Sequence, residues 1–173
     1  MDKTIDFKKI RGIVFDVDGV LSPATIPLGP DGIPQRMVNI KDGYALQLAV
    51  KKGHKLAILS GAKTEAVDRR FRGLGIEDVF LGASLKLPVF EQWLEATGLD
   101  ADEVAFVGDD IPDIPVMRRV GLAVAPADAA PEVKTIAGYI SPCDGGYGVA
   151  RDLLEKVLNA HGLWLDDHHA FGW

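Results

Sequence analysis

Short apolar runs alternate along the chain with segments of helical periodicity, and this alternation limits the fold more than any other feature. Six such runs begin at residues 10, 55, 78, 103, 121 and 138. Most are continuous rather than interleaved with polar residues, a pattern typical of parallel strands covered by helices on both faces. We therefore predict an α/β fold with a doubly wound, mostly parallel, Rossmann-like sheet.

One segment, residues 22–40, breaks this alternation. The stretch "LSPATIPLGPDGIPQRMVNI" contains four prolines and two glycines, which excludes a helix. Short extended pieces on either side of "GPDG" predict a β-hairpin excursion. Asp42 is a candidate cap for the helix that follows.

The excursion is too short to form a cap domain, so we predict one domain over residues 1–173. Residues 159–173 form a C-terminal tail with Trp164, Phe171 and Trp173. A segment of this length is not expected to fold alone, and we expect it to dock on a neighbouring subunit beside the functional site.

Composition narrows the class of protein. The chain is 47% hydrophobic and 25% charged, as in ordinary globular domains. A net charge of -6 without a basic run disfavours nucleic acid as a partner. The single cysteine fits a reducing compartment, and no apolar run reaches the ~18 residues of a membrane span. With no signal-peptide pattern at the N-terminus, we expect a cytoplasmic protein without a membrane partner.

Polar residues follow the ends of the predicted strands. Asp16 and Asp18 come after the first strand, Ser60 after the second, and Asp109 after the fourth, while Lys86 stands a few residues past the third. Ligands of open α/β sheets bind at the carboxyl ends of the strands. We therefore expect these residues to converge on one rim.

Their chemistry predicts a metal and phosphate site. Crowded carboxylates raise each other's pKa unless a cation joins them, and oxygen-only ligands suit Mg²⁺. Ser60, the Gly61 amide and Lys86 supply donors for phosphoryl oxygens. The predicted chemistry is metal-assisted phosphoryl transfer.

The order of these motifs resembles a known family. "DVDGVL", "SG" after a strand, a lone lysine and "GDDIPD" resemble the four motifs of the haloacid dehalogenase-like phosphatases. The stretches "NIKDGYALQLAVKKGHKLAILSGAKTEAVDRRFRGLGI", "GDDIPDIPVMRRVGLAVAPADAAPEV" and "DGGYGVARDLL" resemble the capless members that hydrolyse 3-deoxy-D-manno-octulosonate 8-phosphate. The resemblance covers roughly residues 10–158.

The resemblance implies a role for each motif residue. Asp16 is the nucleophile that becomes an aspartyl phosphate, and Asp18 protonates the leaving sugar oxygen and then activates water. Side chains two residues apart near a strand end point the same way, so both carboxyls can reach one phosphoryl group. The implied Mg²⁺ ligands are the Asp16 carboxylate, the Asp18 carbonyl and Asp109. Phosphoryl oxygens are held by Ser60, Gly61 and Lys86.

Further residues follow from the same resemblance. Asp113 and Asp110 orient metal-bound waters or the lysine. Lys41, Asp42 and Arg70 are the expected substrate contacts. The implied assembly is a homotetramer in which a neighbouring subunit helps to close each active site, and the implied role lies in lipopolysaccharide precursor synthesis.

Two alternatives remain open at this stage. Ala62 and Lys41 stand where relatives with the eight-carbon substrate carry arginine, so a nine-carbon, sialic-acid-like sugar acid 9-phosphate is an alternative substrate. A phosphoryl receiver or a non-catalytic oligomerisation module is the alternative of another class. Repeated Mg²⁺-dependent turnover separates the enzyme from both modules.

Overall fold

The computed structural model describes residues 4–173 and contains one six-stranded sheet, in which all the pairs are parallel. The strand order is β3-β2-β1-β4-β5-β6. This confirms the predicted doubly wound α/β fold. The strands are β1 (Gly12–Phe15), β2 (Lys55–Leu59), β3 (Asp78–Phe80), β4 (Val104–Val107), β5 (Leu122–Ala125) and β6 (Tyr139–Ile140).

Helices cover both faces of the sheet. In β1, Ile13 and Phe15 pack in one apolar cluster and Val14 packs in the other, because successive side chains of a strand point to opposite faces. Burial on both faces is the reason that the strands read as continuous apolar runs. The helices are α1 (Ile40–Lys51), α2 (Glu65–Arg72), α3 (Lys86–Thr97), α4 (Ile114–Met117), α5 (Pro131–Ile136) and α6 (Val149–Ala160). Buried residues of α1, α2 and α6 belong to the first cluster, and those of α3, α4 and α5 to the second.

The strand order reverses at β1, which lies between β2 and β4. Phe15, the last residue of β1, pairs with Ile58 and with Val107. The loops after β1 and β4 therefore leave the sheet side by side. A crevice forms where a doubly wound sheet reverses its order, and it is the usual ligand site of such folds.

The excursion between β1 and α1 is less regular than a two-stranded hairpin. Gly29 donates its N–H to Ile33 O at 2.8 Å, and Gln35 donates to Pro27 O at 2.9 Å. The chain therefore reverses at the predicted place, but the only antiparallel bridge in this excursion joins Leu28 to Pro34. Proline has no backbone N–H to donate to a β-ladder, and the prolines of the excursion therefore keep its ladder short.

Helix α1 begins two residues before Asp42, so the predicted cap at Asp42 is wrong. Asn39 is the N-cap, and its side chain accepts hydrogen bonds from the N–H groups of Lys41 and Asp42. Asp42 is buried inside the first turn, where its Oδ1 accepts the Arg151 N–H at 2.8 Å. It therefore joins α1 to α6.

The C-terminal tail packs against its own chain. Helix α6 runs to Ala160, so the tail is shorter than predicted. The Tyr44 hydroxyl of α1 donates to Ala170 O, and the Tyr44 ring makes edge-to-face contacts with Trp164 and Trp173. Docking of the tail on a neighbouring subunit stays a prediction.

Candidate active site

The loops after β1 and β4 and the start of α3 line one open cleft of about 510 Å³. Every motif residue of the predicted catalytic set lies in it. The lining residues used below are Asp16, Asp18, Gly19, Arg36, Ser60, Gly61, Lys86, Asp109, Asp110 and Asp113. The expected convergence of the strand ends is therefore present in the structure.

Asp16 lies at the base of the cleft and is 7% exposed. Its Oδ1 accepts the Val17 N–H at 2.7 Å, and its Oδ2 lies 2.9 Å from Lys86 Nζ. Asp16 also donates its own N–H to Val107 O of β4 at 3.0 Å. Strand pairing and the lysine together fix the position of this carboxylate.

Asp113 is a hub beneath the cleft. Its Oδ1 lies 2.6 Å from Lys86 Nζ, and its Oδ2 accepts the N–H groups of Asp109 and Asp110 at 2.9 and 3.3 Å. The one buried carboxylate therefore holds both the lysine and the loop after β4. Asp110 has a different role, because its Oδ1 accepts the Ile111 N–H and caps the short turn at residues 111–113.

Asp109 faces Gly19 across the cleft. Gly19 has φ +79°, a conformation that favours glycine, and a Cβ built there would lie 1.8 Å from Asp109 Oδ2. The loop after β1 can approach this carboxylate only because residue 19 has no side chain. Glycine in "DVDG" is therefore a steric requirement of the acidic cleft.

The acids of the cleft disfavour one another's charge. Burial, followed by repulsion from Asp113, raises the pKa of Asp16 to about 7 against the attraction of Lys86. Burial and repulsion from Asp16 raise the pKa of Asp109 to about 8. Burial lowers the pKa of Lys86, but attraction to Asp16 and Asp113 outweighs it and the net shift is upward. The cleft thus holds more negative charge than Lys86 alone balances.

This donor set fits a divalent cation. One carboxylate oxygen from each of Asp16, Asp109 and Asp113 lies within 4.8 Å of the others. Oxygen donors of this kind suit Mg²⁺, whose charge would lower the raised pKa values. Asp113 Oδ2 already accepts two backbone amides, whereas each Asp16 oxygen accepts one contact, so Asp16 and Asp109 have more oxygen lone pairs free for a cation than Asp113 has.

Ser60 and Gly61 form the second wall of the cleft. Ser60 is buried, and its Oγ accepts the Ala62 N–H at 3.1 Å, so the hydroxyl hydrogen remains available to a ligand. Its backbone is held by Phe80 O of β3 and by the Ala83 N–H, at 3.0 and 3.1 Å. Parallel pairing of β2 and β3 thus positions this hydroxyl.

Arg36 is a cleft residue that the sequence did not reveal. Its Nε lies 2.8 Å from Asp18 Oδ1 and its Nη2 lies 2.9 Å from Asp18 Oδ2. The available signal was weak: Arg36 is the only lysine or arginine in residues 22–39. Its partner could not be read from spacing, because the intervening chain has little regular structure.

The expected substrate contacts lie elsewhere in this single chain. Asp42 and Arg70 line a separate small cavity beside α1 and α2, and Lys41 is exposed at the start of α1. Among the described residues, none of these three lines the acidic cleft. Their contact with substrate stays a prediction.

Comparison with known proteins defines the class. A family model described as haloacid dehalogenase-like hydrolase matches residues 38–121. The 3-deoxy-D-manno-octulosonate 8-phosphate phosphatase of Escherichia coli K12 is 39% identical over 155 residues, which cover 90% of this chain and 82% of the relative. With the fold and the cleft, these matches make the protein a haloacid dehalogenase-like hydrolase of phosphoric monoesters.

Solved structures narrow the class to a family. The phosphatase of the same name from Yersinia pestis has a TM-score of 0.87 at 34% identity and covers 91% of this chain and 85% of its own. The Moraxella catarrhalis enzyme, solved with magnesium, phosphate and a KDO molecule, has a TM-score of 0.86 at 30% identity and covers 91% of both chains. The chain belongs to the family of 3-deoxy-D-manno-octulosonate 8-phosphate phosphatases. Within residues 4–173 the chain has no cap domain.

Proposed function

We propose that the protein hydrolyses 3-deoxy-D-manno-octulosonate 8-phosphate to the free sugar acid and phosphate, with Mg²⁺, in lipopolysaccharide precursor synthesis. The observation that carries the proposal is the buried Asp16 carboxylate, 2.9 Å from Lys86 Nζ in a cleft shared with Asp109. The likeness to the magnesium, phosphate and KDO complex supports the choice of substrate and cation.

Asp16 is the proposed nucleophile. Its oxygen bonds to phosphorus while the bond from phosphorus to the sugar oxygen breaks, and Asp18 gives its proton to that oxygen. Water then attacks the phosphorus of the aspartyl phosphate, Asp18 accepts its proton, and phosphate leaves as the Asp16 carboxylate is restored. Pairing with Lys86 and the Val17 N–H favours the ionised form of Asp16 against the effect of burial and aligns its carboxylate for attack.

The metal would be held by the carboxylates of Asp16 and Asp109 and by the Asp18 carbonyl. When bound, it would offset the negative charge of the carboxylates and of the phosphoryl oxygens. Ser60 donates its hydroxyl hydrogen, Gly61 its N–H and Lys86 its ammonium to phosphoryl oxygens.

The loop after β4 positions the lysine and the metal-binding carboxylate. Asp113 orients Lys86 and, through the Asp109 N–H, the metal-binding carboxylate. Asp110 contributes by capping the short turn that carries Asp113. Asp113 thus keeps Lys86 2.9 Å from Asp16 and fixes the loop whose Asp109 carboxylate would hold the metal.

We infer that the protein works as a cytoplasmic homotetramer in which a neighbour closes the cleft. Leu85 and Ile111, which border cleft residues in sequence, are exposed large apolar side chains that a neighbouring subunit could cover. Such a neighbour could also bring Lys41, Asp42 or Arg70 to a substrate. Within the described residues, none of the helices has the length and apolar character that crossing a bilayer requires.

Phosphate release measured on purified protein tests the function. We expect Mg²⁺-dependent turnover of 3-deoxy-D-manno-octulosonate 8-phosphate, its loss on chelation, and its recovery when Mg²⁺ is restored. Asp16→Asn should abolish turnover, whereas Asp68→Asn, an ion-pair change on the surface of α2, should retain it. Turnover by Asp16→Asn would refute the nucleophile.

The substrate assignment needs a separate comparison. Ala62, where relatives carry arginine, is buried beside Ser60 and offers no charge to the substrate. Because the chain resembles phosphatases of the eight-carbon substrate, we nevertheless expect a higher kcat/KM for the eight-carbon than for the nine-carbon keto-deoxy sugar acid phosphate. The opposite order would transfer the proposal to the nine-carbon substrate and leave the chemistry intact.

A further inference from the structure

Arg36 is the unexplained cation of the cleft. The described lining contains five carboxylates and two cations, Arg36 and Lys86. Lys86 directs two of its three donors to Asp16 and Asp113, which lie 2.9 and 2.6 Å from its Nζ, and the proposed function gives the third donor to a phosphoryl oxygen. Arg36 pairs only with Asp18 among the described carboxylates, so it has a role that Lys86 cannot take over.

Arg36 and Asp18 form a bidentate ion pair, a fork of two hydrogen bonds. Nε and Nη2 of Arg36 reach the two oxygens of Asp18 at 2.8 and 2.9 Å, the bidentate geometry in which a guanidinium binds a carboxylate strongly. Each oxygen of Asp18 therefore faces an N–H group of Arg36. A carboxyl that passes a proton to a sugar oxygen must turn one oxygen toward that atom, which the paired guanidinium opposes.

The arginine is the anchored partner. The Arg36 side chain is 12% exposed, whereas that of Asp18 is 46% exposed. Next to it, the Met37 N–H donates to the buried Ser22 Oγ at 3.0 Å, which ties the end of the excursion to the loop after β1. Arg36 is thus held in place while its acidic partner is open to the cleft.

The proposed substrate is a sugar acid, which carries a carboxylate besides its phosphate. A cleft with five carboxylates repels such a group unless a cation receives it. A guanidinium can exchange one carboxylate for another and keep both N–H···O bonds, so the exchange costs little.

We propose that Arg36 binds the carboxylate of the substrate by exchanging it for Asp18, and that this exchange releases Asp18 for proton transfer. The proposal rests on the proposed function, because it needs a carboxylate on the substrate. A phosphate ester without a carboxylate leaves the Arg36–Asp18 fork closed. Arg36 is thereby a specificity-determining residue, and the excursion is the element that presents it.

Steady-state kinetics of Arg36→Met on two substrates separate the binding of the substrate carboxylate from the release of Asp18. For 3-deoxy-D-manno-octulosonate 8-phosphate, we expect KM to rise about tenfold to a hundredfold, the usual effect of losing a charged hydrogen-bonded pair. For p-nitrophenyl phosphate, kcat/KM should stay the same or rise, because Asp18 is no longer held in the fork. Arg36→Lys should fall between wild type and Arg36→Met, since lysine keeps the charge but lacks the fork.

The controls separate failure of this inference from failure of the function. Gln35→Met, at the adjacent exposed position, should behave as wild type on both substrates. Equal losses on both substrates in Arg36→Met, or no change in KM for the sugar acid phosphate, would overturn the exchange. If the wild type itself does not prefer the sugar acid phosphate to p-nitrophenyl phosphate, the proposed function fails instead.

Discussion

His54 makes the stability of the fold dependent on pH. It is 9% exposed, and neither ring nitrogen has a hydrogen-bond partner among the described residues. Its ring stands edge-on to that of His161, with centroids 4.9 Å apart. Burial, then repulsion from His161 and Arg11, lowers the pKa of His54 from 6.5 to about 4.

The direction and size of this pH dependence follow from the linkage between proton binding at His54 and the free energy of unfolding. The folded pKa lies below the unfolded value, so between pH 6.5 and about 4 the unfolded chain binds the extra proton and stability falls as the pH falls. Between pH 7 and pH 5 these two pKa values give a loss of about 2 kcal/mol in the free energy of unfolding. At an m-value of about 2 kcal/mol/M, the His54 contribution alone corresponds to a fall of about 1 M in the urea midpoint.

Urea unfolding of wild type and His54→Leu at both pH values isolates this contribution. The comparison must be a difference, because the buried Asp42 carboxyl, whose pKa burial raises to about 6, acts in the opposite direction. We expect His54→Leu to lose about 2 kcal/mol less than wild type between pH 7 and pH 5. His168→Leu, in the exposed tail, is the control and should follow wild type. Equal pH dependence in wild type and His54→Leu would refute the reasoning.

Three further changes test the cleft and its surroundings. Gly19→Ala should lower kcat about 100-fold, because its Cβ would displace the Asp109 carboxylate; unchanged steady-state kinetics would contradict this. Lys86→Met should abolish turnover and destabilise the fold by about 3–5 kcal/mol, since two buried carboxylates lose their cation; adding Asp113→Asn should recover part of the melting temperature but no activity. Asp42→Asn should gain stability relative to wild type as the pH rises from 3.8 to about 6, up to about 3 kcal/mol in urea unfolding; a difference independent of pH would exclude a raised pKa.

The irregular segments were the least predictable part of the fold. The excursion reverses at the predicted glycines, yet its only antiparallel bridge pairs Leu28 with Pro34. Helix α1 begins at Ile40 with Asn39 as its cap, and not at Asp42. Several polar residues here can cap a helix, and tertiary packing selects among them: Asp42 is taken by the Arg151 N–H of α6.

The sequence by itself determined the parallel sheet and the convergence of the acids. Burial on both faces requires continuous apolar strands, and parallel strands bring their carboxyl ends to one edge, so Asp16, Ser60 and Asp109 had to meet. These inferences need only local patterns and one rule of topology.

Only the tertiary structure decided which polar side chains contact one another. The contacts of Asp113 with Lys86, of Arg36 with Asp18, and of His54 with His161 join residues far apart in sequence or separated by irregular chain. Hydrophobic periodicity contains no information about such pairs, because side-chain contacts depend on how elements and loops pack. The sequence therefore determined where the chemistry lies, and the packing decided which groups hold it in position.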